Sequence, residues 1–209
     1  SWPEPNHHTI LCADFAEAFA VLDQCPRHWG IDVMEMCGGE GLTSYICIRR
    51  WLTTGHNFEI MTGCDLNNPQ HQSAVWQYMD ISLPLVVVMA PTCAPFGPLG
   101  RRNRTTYPEA WRRSYAWAAP HGRFCGHVAL RQCVNGRYYF SEQPHGSDLY
   151  AEDPWPRVVS RDDALELVMD QCTVGQRNNL GMLVRKRTSL RANHLALLQP
   201  FRGLVCDGS

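Results

Sequence analysis

Leu85-Val86-Val87-Val88-Met89-Ala90-Pro91-Thr92-Cys93-Ala94-Pro95-Phe96-Gly97 reads as a buried strand that runs into a proline-flanked cysteine. A run of consecutive β-favouring residues, opened by Pro84 and closed by Pro91, fits a fully buried parallel strand. Cys93 then falls just past the carboxyl end of that strand, the edge at which open α/β sheets bind their ligands. Pro91 and Pro95 restrict the backbone on either side and fix the direction of the thiol. A thiol fixed at such an edge is a candidate nucleophile. The competing reading is a buried cysteine that merely packs.

Upstream, Ile31 to Met36 reads as a first strand, Gly38-Gly39-Glu40-Gly41 as a sharp turn and Leu42 to Leu52 as a helix. Phe58 to Thr62 reads as a second strand ending at Gly63-Cys64-Asp65, and Gln70 to Tyr78 as a helix. Downstream, a polar arginine-rich loop precedes a helix that Pro108 opens at its first turn. That helical region reaches about Val134, with Pro120 breaking or kinking it. Arg137 to Ser141 reads as a strand ending at Glu142-Gln143-Pro144, with further strands at Ala164 to Met169 and around Thr188 to Leu190. Strands alternating with helices predict an α/β sandwich with a mainly parallel sheet. Leu11 to Leu22 carries a short helical pattern, so residues 1–30 read as an N-terminal helical arm and residues 31–209 as the main domain.

The chain has 209 residues and a formal net charge of −1, which excludes a globally basic nucleic-acid binder but not a local basic patch. No apolar run approaches the ~20 residues of a membrane span. The opening Ser1-Trp2-Pro3-Glu4-Pro5 has no signal-like apolar core, and we expect a segment of a longer protein from a nuclear or cytoplasmic setting. The ten cysteines are widely spaced without a CxxC pair, which favours reduced core thiols over disulfides. Zinc ligation is confined to scattered candidates, His7-His8 and the Cys125/His127/Cys133 group, and no metal is expected.

The strand ends carry chemistry. Glycines in the first turn let a ligand approach the backbone, and the helix that follows offers free N–H groups. Asp65, about 25 residues further on, stands where an acid at the end of a second strand holds ribose hydroxyls. Together they point to an adenosine-containing cofactor. A carboxyl group at Glu142 beside a thiol at Cys93 fits addition to a heteroaromatic ring, the acid holding a ring nitrogen while sulfur attacks. Arg101, Arg102 and Arg104, followed by Arg112 and Arg113, make a local cationic patch suited to phosphates. Arg185-Lys186-Arg187 forms a second basic cluster.

On these residues the chain resembles the C5-cytosine methyltransferase family. The matching motifs are Cys37-Gly38-Gly39-Glu40-Gly41, Asp65, Pro91-Thr92-Cys93-Ala94-Pro95-Phe96, Glu142 in Ser-Glu-Gln-Pro, and Arg185 with Arg187. Their order and rough spacing hold over about residues 31–191. The chain looks closer still to methyltransferase-like segments carried in protist retroelement polyproteins, which keep a similar Cys–Pro–Phe–Gly loop and a Glu-x-Pro motif. The resemblance implies a Rossmann-like fold binding S-adenosylmethionine, with cofactor contacts from Met36, Cys37, Gly38, Gly39, Gly41, Asp65, Leu66, Asp80 and Pro91. It implies that Cys93 adds to C6 of cytosine while Glu142 grips N3 and N4, with Arg185 and Arg187 completing the site. Arg101, Arg102 and Arg104 would contact nucleic acid, DNA before RNA, from which the base must be flipped out.

The chain departs from the family pattern. Thr92, Ala94 and Gly97 replace the usual Pro, polar residue and Ser, and Gln143-Pro144 replaces Asn-Val. The last strand is followed by too few residues for the family's target-recognition domain, so recognition is expected from a fused or separate module. Two alternatives stay open: the same fold acting on RNA, and a degenerate methyltransferase fold kept as a binding module without activity.

Overall fold

The computed structural model describes residues 30–206. The proposed helical arm over residues 1–30, its helix Leu11 to Leu22 and the His7-His8 pair lie outside the described residues, Gly30 apart. Six strands form one sheet in the order β2-β1-β3-β4-β6-β5: β1 (Val33–Met36), β2 (Thr54–Phe58), β3 (Val86–Met89), β4 (Tyr138–Pro144), β5 (Leu165–Asp170) and β6 (Arg187–Ala192). The pairs β1–β2, β1–β3 and β3–β4 are parallel, whereas β6 is antiparallel to both its neighbours. The mainly parallel α/β sandwich expected from the alternation is therefore present. Between them run α1 (Leu42–Arg49), α2 (Pro69–Ser82), α3 (Pro98–Thr106), α4 (Pro108–Val134), α5 (Trp155–Val159) and α6 (Leu195–Leu198).

The chain leaves β1 for β2 on one side and returns to β3 on the other. Such a reversal opens a crevice beyond the carboxyl ends of the two central strands, because the loops there diverge to opposite sides. The larger core lies on one face of the sheet, where Met34, Met36, Val87, Met89 and Tyr139 meet Val75 and Tyr78 of α2, Phe124 and Val128 of α4 and Trp155 of α5. A smaller cluster on the other side joins Phe140, Met169 and Leu190 to Leu198 of α6. Along β4 the burial alternates, so Tyr139, Ser141 and Gln143 turn one way and Phe140 and Glu142 the other.

Four expectations need correction. The second strand is Thr54–Phe58, not Phe58 to Thr62; residues 60–62 form a 3-10 turn that Glu59 caps. The strand residues Thr54-Gly55-His56-Asn57 lack an apolar pattern, yet all five strand positions are buried. Its register is held instead by Thr53, whose N–H and hydroxyl both donate to Asp32 Oδ2 at 2.8 Å. The first helix stops at Arg49 rather than Leu52, with Trp51 at a positive φ of 65°. The arginine-rich stretch is not a loop but α3, with Pro98 at its first turn; its side chains are nearly all polar, so no apolar period announced it. Finally, α4 runs unbroken through Pro120. A proline inside a helix costs about 3 kcal/mol. Burying Phe124 and Val128 contributes ~1.5–3 kcal/mol each, and eleven residues of this helix are buried in all, which outweighs the loss. No helix among the described residues is long and apolar enough to cross a membrane.

Candidate functional site

The cysteine turn is held from several sides. The Cys93 carbonyl accepts from the N–H groups of Phe96 and Gly97, both at 3.0 Å, closing a tight turn. Gln143 Nε2 donates to the Pro91 carbonyl at 2.5 Å, while its Oε1 accepts from Ser147 Oγ at 3.0 Å. Trp111 Nε1 donates to Pro95 O at 3.1 Å, and Asp148 N–H to Phe96 O at 2.9 Å. Phe96 is buried and meets Tyr115 edge-on at 5.8 Å. Gly100 admits α3 against the turn: a Cβ there would lie 2.4 Å from the Pro95 carbonyl. The proline restriction expected from sequence is thus one of several constraints on Cys93, which is itself half-buried.

A cavity of about 240 Å³ opens at the carboxyl edge, between the ends of β1, β2 and β3 and the flank of α4. Cys37 and Gly39 line it from the glycine turn, Glu59, Asp65 and Leu66 from the loop after β2, and Thr92 from the cysteine turn. Trp117 and His121 of α4 close the side. Gly39 has φ 56°, and a Cβ on it would meet nothing within 4 Å, so backbone is bare to the cavity here. Burial lowers His121 below its usual imidazole range, and Asn67 Oδ1 holds its backbone N–H at 3.1 Å. The thiols around the cavity are kept protonated. Cys37 is raised well above its usual value, first by its hydrogen bond with Cys125 and then by burial. Burial, reinforced by the charges of Asp65 and Glu59, pushes Cys64 up to about 12.

Glu59, which sequence reading missed, is the acid directly at the end of β2. Its Oε1 accepts from Ile60 N–H at 2.7 Å and its Oε2 from Gly39 N–H at 3.4 Å, tying the second strand end to the glycine turn. The misplaced strand hid it: with β2 ending at Phe58, Glu59 takes the position assigned to Asp65. Asp65 stands six residues later in a turn, its Oδ1 accepting from Asn67 N–H at 2.9 Å, and still lines the cavity. A further acid, Glu35 on β1, is buried and accepts from Ser44 N–H at 2.6 Å and Ser44 Oγ at 2.5 Å, anchoring the first turn of α1 beneath the glycines.

Some residues expected at the cofactor are elsewhere. Met36 is fully buried in the core of β1. Gly38 packs against Glu35, and Gly41 caps α1 in the left-handed region. Pro91 is buried and contributes its carbonyl to Gln143. Asp80 is far from the cavity: α2 begins on the carboxyl edge and carries Asp80 about 17 Å along its axis, at 1.5 Å per residue, to the opposite edge. There it pairs with Arg131 near the end of α4.

Glu142 faces a separate groove of about 770 Å³, lined by Leu42, Thr43, Phe140, Gln171, Arg177 and Thr188 among others. Its Oε1 accepts from Gln171 Nε2 at 3.1 Å and Lys186 Nζ at 3.2 Å. Lys186, not Arg185 or Arg187, therefore reaches this carboxylate. Alternation along an extended segment sends neighbours to opposite sides; Arg185 turns to the buried Asp170 at 3.2 Å, and Arg187 is exposed. Asp170 is lowered below the usual carboxylate range by the Cys206 N–H and then by Arg185. On α3, Arg101 is engaged with Gly146 O and Asp148 and Arg104 lies over the Trp111 ring, whereas Arg102 is exposed. Among the described residues, no group of three His, Cys, Asp or Glu side chains is arranged to hold a metal ion.

No protein-family model matches the chain, and no curated protein matches it either.

Proposed function

We propose that the chain is an S-adenosylmethionine-dependent methyltransferase that modifies C5 of cytosine in nucleic acid, DNA in the first instance. One observation carries the reading. β3 and β4 are parallel neighbours in register Met89 to Ser141, so Cys93 and Glu142 follow at one sheet edge; Thr92, next to Cys93, lines the cavity with bare glycine backbone and two acids, and Glu142 opens on the separate groove. The Gln143–Pro91 bond couples the two strand ends directly.

The cavity fits an adenosine-type cofactor by its donor set. Glu59 and Asp65 offer acceptors for hydroxyls, Gly39 offers backbone, and Leu66 and Trp117 offer apolar walls for a flat ring. S-adenosylmethionine, when bound, supplies an electrophilic methyl group. The chain's own residues prepare the acceptor. The Cys93 thiol gives its proton to solvent and its sulfur bonds to C6 of the ring, while a proton shared between Glu142 and N3, with the N4 amino group donating to Glu142, moves electron density to C5. C5 takes the methyl group as the methyl–sulfonium bond breaks, the C5 proton leaves to a base, and the S–C6 bond breaks to restore the ring and the Cys93 thiolate. Lys186 and Gln171 hold the Glu142 carboxylate in place for this contact.

The same two partners favour a second reading, a binding module without activity, because a base must compete with them for Glu142. Covalent trapping separates the two. An oligonucleotide carrying 5-fluorocytosine blocks loss of the C5 substituent, so an active chain stays bonded to it. We expect a denaturation-resistant complex with the native chain and none with Cys93→Ser. A folded chain that binds S-adenosylmethionine yet gives no complex on either duplex or single strand would overturn methyl transfer.

A further inference from the structure

Residues 176–184 form a hairpin that the proposed chemistry leaves unused. Arg177 pairs with Leu183 in an isolated bridge, Val184 N–H donates to Gln176 O at 3.0 Å and Asn178 N–H to Met182 O at 2.9 Å. Asn178 Oδ1 accepts from the N–H groups of both Leu180 and Met182 at 3.0 Å, and Arg177 Nη1 donates to Gly181 O at 2.6 Å. The tip is thus preorganised by its own bonds, yet it presents apolar side chains to solvent: Leu180 is 80% exposed and Met182 56%. Its base is rooted at Glu142, since Gln176 N–H donates to Gln171 O and Gln171 donates to Glu142.

Charge selects the partner. Residues 171–187 contain Arg177, Arg185, Lys186 and Arg187 and no Asp or Glu; Arg185 and Lys186 are paired with Asp170 and Glu142, and Arg177 and Arg187 are exposed. On the other side of the edge, the Cys93 turn leads into α3 with Arg101, Arg102 and Arg104. Two basic arms therefore flank the strand ends that carry Cys93 and Glu142. We infer that the 176–184 hairpin is a base-unstacking wedge, Leu180 and Met182 entering a nucleic-acid duplex while Arg177 and Arg187 hold its phosphates. Apolar side chains set between cations are what unstacks a base step, because the cations offset the cost of opening the duplex. A target base must leave the stack to reach Cys93, so the inference rests on the proposed function and names how that site opens its substrate.

The test compares a short fluorescein-labelled duplex of mixed sequence with the same duplex carrying a central mismatch, by anisotropy with the full chain. A mismatch removes part of the unstacking cost, so the native chain should prefer it by roughly tenfold. Leu180→Ser with Met182→Ser should abolish the preference while leaving the salt dependence unchanged. Arg187→Ala, which leaves the Arg177–Gly181 bond of the tip in place, should weaken both duplexes alike and reduce the slope of log affinity against log salt by about one. Both variants alter exposed side chains, and circular dichroism checks their folding. A tip variant that keeps the preference, or a native chain without one, overturns the wedge, including the case in which the tip docks another protein. Trapping of 5-fluorocytosine by that same chain would leave the methyltransferase reading standing. Conversely, a tip-dependent preference with no trapping keeps the wedge and removes the chemistry.

Discussion

Replacing Glu59 by Gln should weaken S-adenosylmethionine binding far more than replacing Asp65 by Asn. Glu59 follows β2 directly and is already oriented, with Oε1 on Ile60 N–H at 2.7 Å and Oε2 toward Gly39 N–H at 3.4 Å. Glutamine keeps an acceptor for Ile60, so the cap on the 60–62 turn survives, and only the long 3.4 Å contact with Gly39 N–H is lost, because its NH2 group then faces that N–H. It loses the charge that strengthens two hydroxyl contacts. Hydrogen bonds to charged groups contribute ~1.5–3 kcal/mol against ~0.5–1.5 for neutral ones, which puts the loss over a diol at about 2–3 kcal/mol. That is a roughly 30- to 150-fold weaker affinity. Asp65 spends Oδ1 on Asn67 N–H at 2.9 Å, a turn that asparagine reproduces. Its substitution should cost about 0.5–1 kcal/mol, or roughly two- to fivefold. Calorimetric titration of both variants, with melting curves as a control on folding, decides the matter. A larger loss at Asp65 than at Glu59 would refute the assignment by strand end; equal, unmoved affinities would mean that the cavity holds no diol.

Three further outcomes follow from the same geometry. Gly100→Ala should lower the melting temperature although alanine favours helix by ~1 kcal/mol, because a Cβ 2.4 Å from the Pro95 carbonyl forces a shift costing ~1–3 kcal/mol; a higher melting temperature would contradict the close approach. Gln143→Leu leaves Pro91 O and the Ser147 hydroxyl without their partner, a loss of about 2–4 kcal/mol, read as a fall of roughly 5–15 °C in thermal melts; an unchanged melt would show that the turn does not depend on it. His121 has its pKa lowered by burial, so the unfolded chain takes up a proton first as pH falls. Stability associated with it is present above about pH 6.5 and is lost as pH drops through the folded value, so the urea midpoint should fall between about pH 7.5 and about pH 5.5. His121→Gln should flatten that fall, and identical slopes would discount the residue.

Where the sequence was legible, a period or a cap made it so. The valine run before Pro91 announced β3, although the strand is not fully buried as expected: Val87 and Met89 are buried, and Val86 and Val88 on the other face are half-buried. The helix read over Gln70 to Tyr78 is present as α2, longer at both ends, with the Asn68 side chain capping it by accepting from Gln70 N–H at 2.9 Å. Where neither signal existed the reading slipped. β2 is built from Thr-Gly-His-Asn-Phe, and only pairing with β1 makes it a strand. That slip alone moved the strand end from Glu59 to Asp65. The helix α3 was hidden by its arginines, and Pro120 read as a break or kink in α4, where the break does not occur, because a local rule could not count the burial on either side.

The sequence by itself determined the α/β alternation, the strand that ends at Cys93, the glycine turn and the basic residues around them. These follow from local backbone preference and apolar period, which neighbouring residues suffice to set. Only the tertiary structure decided which acid meets the glycine turn, that Lys186 rather than its arginine neighbours reaches Glu142, that Asp80 lies at the wrong edge, and that Gln143 joins the cysteine turn to β4. Each depends on which strands are neighbours and which way a side chain alternates, and that is settled by pairing between residues distant in the chain.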